Sequence, residues 1–227
     1  MSTFVLIHGA GSGASYWQLV RPRLEAAGHD VVAVDLPCDD DRAGLADYLS
    51  ATLDAIGDHT DLVLVAQSMG GFTAPLVADR VPVDLMVLVA AMVPAPGESP
   101  GDWWANTGHA EAMAAAAESD GRDPDDDDEA TLFLHDVPAE AIEGVTVRPQ
   151  SGTPFEKPWP LAEWPTVPTR FLLCRDDRFF PAEFQRRVVQ ERLGFTPDEM
   201  VGGHLPALAH PDELADRLLA YEAELRP

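Results

Sequence analysis

Short runs of apolar residues alternate along most of the chain with longer stretches in which apolar and polar residues are mixed. The runs are rich in Val, Leu and Ile without polar alternation, a pattern typical of strands covered on both faces of a parallel sheet. They predict strands over 3–8, 30–35, 61–67, 84–89, 170–175 and 199–201. The mixed stretches predict helices over 17–27, 41–56, 68–79, 181–193 and 211–225.

This alternation indicates an α/β fold, with a mostly parallel central sheet of about six strands and helices on both faces. It stops after the fourth strand. Between 94 and 166 the chain is rich in Pro, Gly, Ala and Asp and contains four of the five tryptophans. We therefore predict a core formed by 1–93 and 167–227, with 94–166 inserted as a cap, because long insertions at one end of a sheet often carry binding surface.

The charge of the chain excludes two classes of partner. It has 15 basic and 39 acidic residues and a net charge of −24. Such a surface repels nucleic-acid phosphates and anionic lipids, so we expect neither as a partner.

No apolar run approaches the roughly 18–20 residues of a membrane span, and the apolar start lacks a basic leader region. Together with two cysteines, Cys38 and Cys174, expected to be buried and reduced, this predicts a cytoplasmic protein.

A glycine loop after the first strand admits two interpretations. Residues 9–14 match G-x-G-x-x-A, and Asp35 follows Ala14 by 21 residues, which is the dinucleotide-binding fingerprint. However, the next helix is predicted to begin near Trp17 rather than at the glycines, and the Tyr-x-x-x-Lys pair of short-chain reductases is absent. The single lysine, Lys157, has Thr153 four residues before it. A dinucleotide-binding reductase is therefore the least favoured alternative, and no cofactor is predicted.

The third strand is predicted to run directly into a helix through Ser68. A turn this sharp requires small neighbours, and Ala66 and Gly70 supply them in the pattern A-x-S-x-G. This is the turn that presents a nucleophilic serine in hydrolases. It would also place the Met69 backbone N–H at a helix N-terminus, where a developing oxyanion is stabilised. The alternative is that Ser68 only caps the helix.

A histidine and an acid are expected downstream of such a serine. His204 follows the last short strand, and the strand over 170–175 is followed by Asp176 and Asp177. One residue changes the direction of a side chain at a strand end, so only one of these two aspartates can orient the imidazole. The residues alone leave that choice open. His8 and Asp35 precede the serine and are expected to be structural.

With these residues assembled, the chain resembles the α/β-hydrolase superfamily, and within it the branch of hydroxynitrile lyases and plant methylesterases. The resemblance lies in motifs spread over nearly the whole chain. They are the first strand and its glycine loop (4–10, with Trp17), the loop after the fifth strand (174–181, with 184–185), the histidine loop (202–204) and the end of the cap (148–149, with Phe155). It implies that Asp177, four residues before Pro181, is the catalytic acid. It also implies that the Ala10 N–H is a second oxyanion donor beside Met69. The cap is otherwise unlike that of the branch.

The resemblance also bears on the reaction. The lyases of this branch have a threonine where this chain has Gly9, and a lysine where it has Leu205. We therefore predict hydrolysis of a small apolar or aryl carboxylic ester through Ser68, Asp177 and His204, without a metal. The predicted pocket residues are Gly11, Met92, Trp103, Trp104 and Leu205. A hydroxynitrile lyase, a lactone or amide hydrolase and a small-molecule receptor that retains the triad stay open as alternatives, as does a homodimer.

Overall fold

The computed structural model describes residues 1–225 and contains a six-stranded sheet in the order β2-β1-β3-β4-β5-β6. Every neighbouring pair of strands is parallel, which confirms the predicted fold class. The strands are β1 (Thr3–Ile7), β2 (Asp30–Ala33), β3 (Leu62–Gln67), β4 (Leu85–Val89), β5 (Thr169–Cys174) and β6 (Asp198–Met200).

Helices connect the strands and cover both faces of the sheet. They are α1 (Arg21–Ala26), α2 (Leu45–Ile56), α3 (Gly70–Ala78), α4 (Pro100–Thr107), α5 (His109–Ser119), α6 (Glu129–Phe133), α7 (Ala182–Leu193), α8 (Pro206–Ala209) and α9 (Pro211–Glu224). Short 3-10 turns occur at Ala14–Trp17, Ala139–Ile142 and Thr153–Phe155. Within residues 1–225, no helix has the length and apolar character that a bilayer-spanning segment needs.

Two predicted helices begin four residues later than the sequence pattern suggests. The stretch 17–27 splits into the 3-10 turn and α1, because Pro22 has no backbone N–H to continue a helix and sits in the first turn of α1. The stretch from 41 begins its helix only at Leu45. There the Gly44 N–H donates to the Asp47 carboxylate at 2.8 Å, which fixes the helix start.

The sheet is buried on both faces, as its uninterrupted apolar strands predict. Along β1, Phe4 and Leu6 pack into one apolar cluster and Val5 and Ile7 into the other. Cys38 and Cys174 are buried free thiols, and burial raises the pKa of the Cys174 thiol well above its usual value. The long apolar runs are thus explained by a sheet with a core on each side.

The segment between β4 and β5 contains α4, α5, α6 and two of the 3-10 turns, and it packs closely on the sheet domain. Trp103 and Trp159 are fully buried, and their indole N–H groups donate to backbone carbonyls at 3.0 and 3.2 Å. A buried ion pair of 2.5 Å between Glu98 and Arg192 of α7 fixes the start of the segment. The segment is therefore attached at fixed points above the carboxyl ends of the strands.

Candidate active site

The turn between β3 and α3 holds Ser68 in a left-handed backbone conformation, with φ of 51°. This conformation is costly for a residue with a Cβ and requires tight support. The support comes from close backbone packing: a Cβ on Gly71 would lie 1.9 Å from the Met92 carbonyl oxygen, and one on Gly70 would lie 3.1 Å from the His8 carbonyl oxygen. The small residues after Ser68 are thus required by the approach of α3 to neighbouring strand ends.

Ser68 does not cap the helix, so that alternative is wrong. Met69 occupies the N-cap position, no side chain caps the helix, and α3 begins at Gly70 rather than at Ser68. The Ser68 hydroxyl instead lies 3.0 Å from Nε2 of His204.

Ser68, His204 and Asp177 form a continuous chain of hydrogen bonds. Nδ1 of His204 lies 2.8 Å from Oδ2 of Asp177. Because a carboxylate can only accept, Nδ1 carries the proton and donates it, which leaves Nε2 free to accept from the Ser68 hydroxyl. All three residues are more than nine-tenths buried. They come from the carboxyl ends of β3, β5 and β6, so the parallel sheet brings them together.

The two aspartates after β5 have different environments. One oxygen of Asp177 accepts a hydrogen bond from His204, and the other accepts hydrogen bonds from the backbone N–H groups of Phe179 and Phe180 at 2.9 and 2.8 Å. Asp176 is exposed, and its carboxylate accepts from the Gly202 N–H at 3.0 Å. Only Asp177 contacts the imidazole.

The loop that carries His204 is held from three directions. The Gln67 side-chain amide donates to the His204 carbonyl at 2.9 Å, and Asp176 holds Gly202. The third contact comes from Asp136, whose carboxylate accepts from the Gly203 N–H at 2.6 Å. Sequence reasoning missed Asp136, because nothing in its local pattern or spacing connects it to a loop 67 residues away.

Ala10 and Met69 line the cavity beside Ser68. Within the described part of the chain, neither backbone N–H donates to another protein group. The loop before Ala10 passes very close to the serine: a Cβ on Gly9 would lie 2.4 Å from Oε1 of Gln67 and 2.9 Å from Cβ of Ser68. Two backbone N–H groups next to a serine hydroxyl can hold a negatively charged oxygen.

The glycine loop is supported from behind by His8 and Asp35. The buried His8 donates from Nδ1 to the Gly9 carbonyl at 2.7 Å and accepts from the Leu36 N–H at 3.1 Å. Burial lowers its pKa to about 4, so the ring is neutral at neutral pH. Asp35 accepts from the Ala14 N–H of the loop at 2.8 Å. The fingerprint acid thus stabilises the loop itself, which removes the main support for a dinucleotide site.

A cavity of about 680 Å³ lies above Ser68. Of the predicted pocket residues, Gly11, Met92, Trp104 and Leu205 line it. Trp103 does not: it is fully buried beneath Trp104, with the two rings edge to face at 5.1 Å. Successive helical residues point about 100° apart, so only one of the pair can face the cavity.

Most of the remaining wall is apolar and was not predicted. It comprises Tyr16, Phe133, Leu134, Ile142, Val145, Val147, Phe155, Phe179 and Leu208. Phe155 and Phe179 belong to motifs that carry the family resemblance, but the sequence did not place any of these side chains in the cavity, because tertiary contacts decide which way they face. Across residues 1–225, no group of three or more His, Cys, Asp or Glu side chains is arranged to hold a metal ion.

Comparisons with known proteins identify the family of this chain. The Alpha/beta hydrolase family matches residues 4–217. Methylesterase 8 of Arabidopsis thaliana is 27% identical over 249 residues, covering 96% of this chain and 88% of that protein. This confirms the resemblance to plant methylesterases.

Two solved structures share the fold. The crystal structure of polyneuridine aldehyde esterase superposes with a TM-score of 0.78 at 24% identity, covering 97% of this chain and 99% of the other. A pyrethroid hydrolase from Sphingobium faniae JZ-2 gives a TM-score of 0.78 at 22% identity, covering 98% and 97%. On the evidence of its sheet, its serine turn and a family match over nearly its whole length, this chain belongs to the alpha/beta hydrolase family.

Proposed function

We propose that the protein is a carboxylic ester hydrolase in which Ser68, His204 and Asp177 form the catalytic triad. The observation that carries the proposal is the hydrogen-bond chain of 3.0 and 2.8 Å through the imidazole. The similarity to a methylesterase supports the reaction class. The backbone N–H groups of Ala10 and Met69 form the oxyanion hole.

The mechanism follows from the arrangement of protons. Oγ of Ser68 attacks the ester carbonyl carbon while Nε2 of His204 takes the hydroxyl proton. The carbonyl oxygen becomes an oxyanion held by the two backbone N–H groups, each of which typically contributes about 100- to 1000-fold to the rate. The intermediate collapses, and His204 returns the proton to the departing alkoxide, which leaves as the alcohol.

Water then completes the cycle. His204 takes a proton from the water, whose oxygen attacks the acyl carbon of the acyl-enzyme. The second intermediate releases the carboxylic acid, and the proton returns to Ser68. Asp177 stays ionised throughout and stabilises the imidazolium. All atoms of the products come from the ester and one water molecule.

The cavity wall favours an apolar or aryl ester. Met92, Trp104, Phe179 and Leu205 lie around the serine, and their side chains offer apolar surface with few hydrogen-bond partners. A lactone or an amide presents the same carbonyl to the same groups, so the triad is equally placed to attack these substrates. A receptor that binds without turnover would use the same cavity.

Cleavage of a cyanohydrin is not favoured by this site. Cyanide departs with a negative charge, which an apolar surface does not stabilise. Leu205 lines the cavity at the position where the lyases have a lysine. Gly9 has no room for a larger side chain, because a Cβ there already approaches Gln67 within 2.4 Å.

The test compares Ser68→Ala with Ser50→Ala, a control on the exposed face of α2. We expect Ser68→Ala to abolish hydrolysis of p-nitrophenyl esters and labelling by an organophosphonate while leaving the fold intact. Ser50→Ala should leave both unchanged. Labelling of another residue with Ser68 unmodified would contradict the proposal. Tight binding of aryl esters without turnover by the unaltered protein would favour the receptor.

A further inference from the structure

Three exposed apolar side chains, Leu134, Ile142 and Val147, lie in the wall of the cavity above Ser68. Their exposed fractions are 38%, 42% and 84%. All three line the same cavity as Ser68 and His204. We call these three residues the apolar rim.

The apolar rim accounts for most of the strongly exposed large apolar side chains of the protein. Within residues 1–225 there are five such side chains, and the other two are Met1 and Val201. Single exposed apolar residues are ordinary, but three that line one cavity, beside the exposed Glu129 and Pro149, provide apolar surface of the kind that marks binding sites. The contrast is sharper because the whole chain carries a net charge of −24.

Packing does not explain Val147, the most exposed residue of the apolar rim. Val147 is 84% exposed, so it buries little surface and contributes little to folding. Arg148, the next residue along the chain, also lines the cavity. Its guanidinium donates hydrogen bonds to the Ser12 carbonyl at 2.8 Å and to the Leu36 carbonyl at 3.0 Å. That residue fixes the position of the segment, while the valine beside it stays in solvent.

The apolar rim is continuous with the wall around the serine. Phe133 lies next to Leu134 in sequence and contacts Phe179 with ring centroids 4.7 Å apart, and its ring lies 5.5 Å from that of His204. An apolar surface therefore extends from the imidazole to the opening. A cavity of about 680 Å³ accommodates a drug-sized molecule. If an ester is bound with its carbonyl at Ser68 and is longer than the inner cavity, its outer part extends over the apolar rim.

We propose that the substrate is an ester with an extended apolar or aryl group, and that the outer part of this group lies on Leu134, Ile142 and Val147. This inference rests on the proposed hydrolase function and adds the size and chemistry of the substrate. The occupant of the apolar rim is the substrate itself, because the rim and the serine share one cavity. A second copy of the chain is the competing occupant.

The experiment measures kcat/KM for two series of esters, each kept below its solubility limit. In one series the acyl chain of p-nitrophenyl esters lengthens, and in the other the alcohol lengthens on a fixed acyl group. The test variant is Ile142→Ser with Val147→Ser. The matched control is Val147→Leu, which keeps an apolar side chain at the most exposed position.

We expect kcat/KM of the double serine variant to fall about tenfold for the longest esters of at least one series, since each lost apolar contact weakens binding of the transition state. The acetate ester should change less than about twofold, and Val147→Leu should keep the full length dependence. A loss that is equal for all lengths, or no loss in either series, would overturn the inference.

Two further measurements separate the possible failures. If sedimentation shows a dimer that the serine variant dissociates, while the length dependence stays unchanged, the apolar rim joins two copies and the inference is wrong. If Ser68→Ala still hydrolyses the acetate ester, the proposed function itself fails. These results are independent, because Ser68→Ala tests the chemical step and the double serine variant tests the dependence on ester length.

Discussion

The carboxylate of Asp136 accepts a hydrogen bond of 2.6 Å from the backbone N–H of Gly203, the residue before His204. Asp136 belongs to the segment between β4 and β5, which contributes none of the three proposed triad residues. A Cβ on Gly203 would lie 2.8 Å from the Asp136 carboxylate and 2.8 Å from Nε2 of His135. The segment over the sheet thus fixes the backbone that positions the imidazole.

Asp136→Ala should lower kcat by about 10- to 100-fold with little change in KM, because a small displacement of His204 misaligns the proton transfer. Asp136→Asn should retain most of the activity, since the amide oxygen can still accept from Gly203. Steady-state kinetics and thermal unfolding of both variants check this. Equal activity losses in the two variants, or a loss that merely follows unfolding, would contradict a positioning role.

Asp177→Asn should reduce kcat by about 10⁴-fold, because the amide cannot hold the productive tautomer of His204. Asp176→Asn is the matched control. Its amide oxygen can still accept from the Gly202 N–H, so hydrolysis should be nearly unchanged. Rates measured with one p-nitrophenyl ester decide the matter, and the opposite ranking would show that the acid is the neighbouring residue.

Gly9→Ala should lower ester turnover by about tenfold or more, because the new Cβ requires the Gln67 side chain to move. That side chain donates to the His204 carbonyl, so its displacement loosens the histidine loop. Gly44→Ala is the control, since a Cβ there meets nothing within 4 Å. Full activity in Gly9→Ala would show that the loop adjusts freely.

The same crowding limits conversion to a lyase. The unaltered protein should release no cyanide from mandelonitrile above the buffer background at about pH 5.5, because no counter-charge faces a departing anion. The double variant Gly9→Thr with Leu205→Lys should not gain this activity, since the threonine does not fit. Cyanide release by the unaltered protein that disappears in Ser68→Ala would refute the ester hydrolase assignment.

His8 should make stability depend on pH. Burial lowers its folded-state pKa from 6.5 to about 4, so between these values the unfolded chain binds a proton that the folded chain does not. The unfolding free energy should therefore fall as pH drops through this range. The fall should be smaller in His8→Asn than in His59→Asn, an exposed control. Urea unfolding of the two variants at about pH 7.5 and about pH 5 measures this fall. An equal fall in the unfolding free energy of the two variants would contradict the buried neutral ring.

The parts of the site that could be predicted from sequence lie at strand ends. Ser68 and His204 follow apolar runs whose carboxyl ends must share one edge of a parallel sheet, so their meeting follows from the fold. The choice between Asp176 and Asp177 needed a family resemblance, because one residue of register decides it. The structure brings Asp177 to His204, in agreement with that choice.

The parts that could not be predicted come mainly from the segment between β4 and β5. Asp136 reaches Gly203 only through tertiary packing, and the apolar rim comes from a region whose shape no periodicity describes. The expectation that Trp103 lines the pocket failed because neighbouring residues of one helix face different ways. Composition distinguished the region between β4 and β5 from the rest of the chain but did not indicate which of its side chains face the cavity.

The packing of Gly71 against Met92 restricts how this protein can be recombined with its relatives. The Met92 N–H donates to the Ser68 carbonyl at 2.9 Å, and the Met92 carbonyl oxygen occupies the space that a Cβ on residue 71 would need. The serine turn and the first residues after β4 therefore form one exchangeable block. Chimaeras that take 68–71 from one parent and 90–93 from another should fold poorly. A crossover inside α3 divides the block in this way, whereas a crossover beyond Val93 keeps it whole.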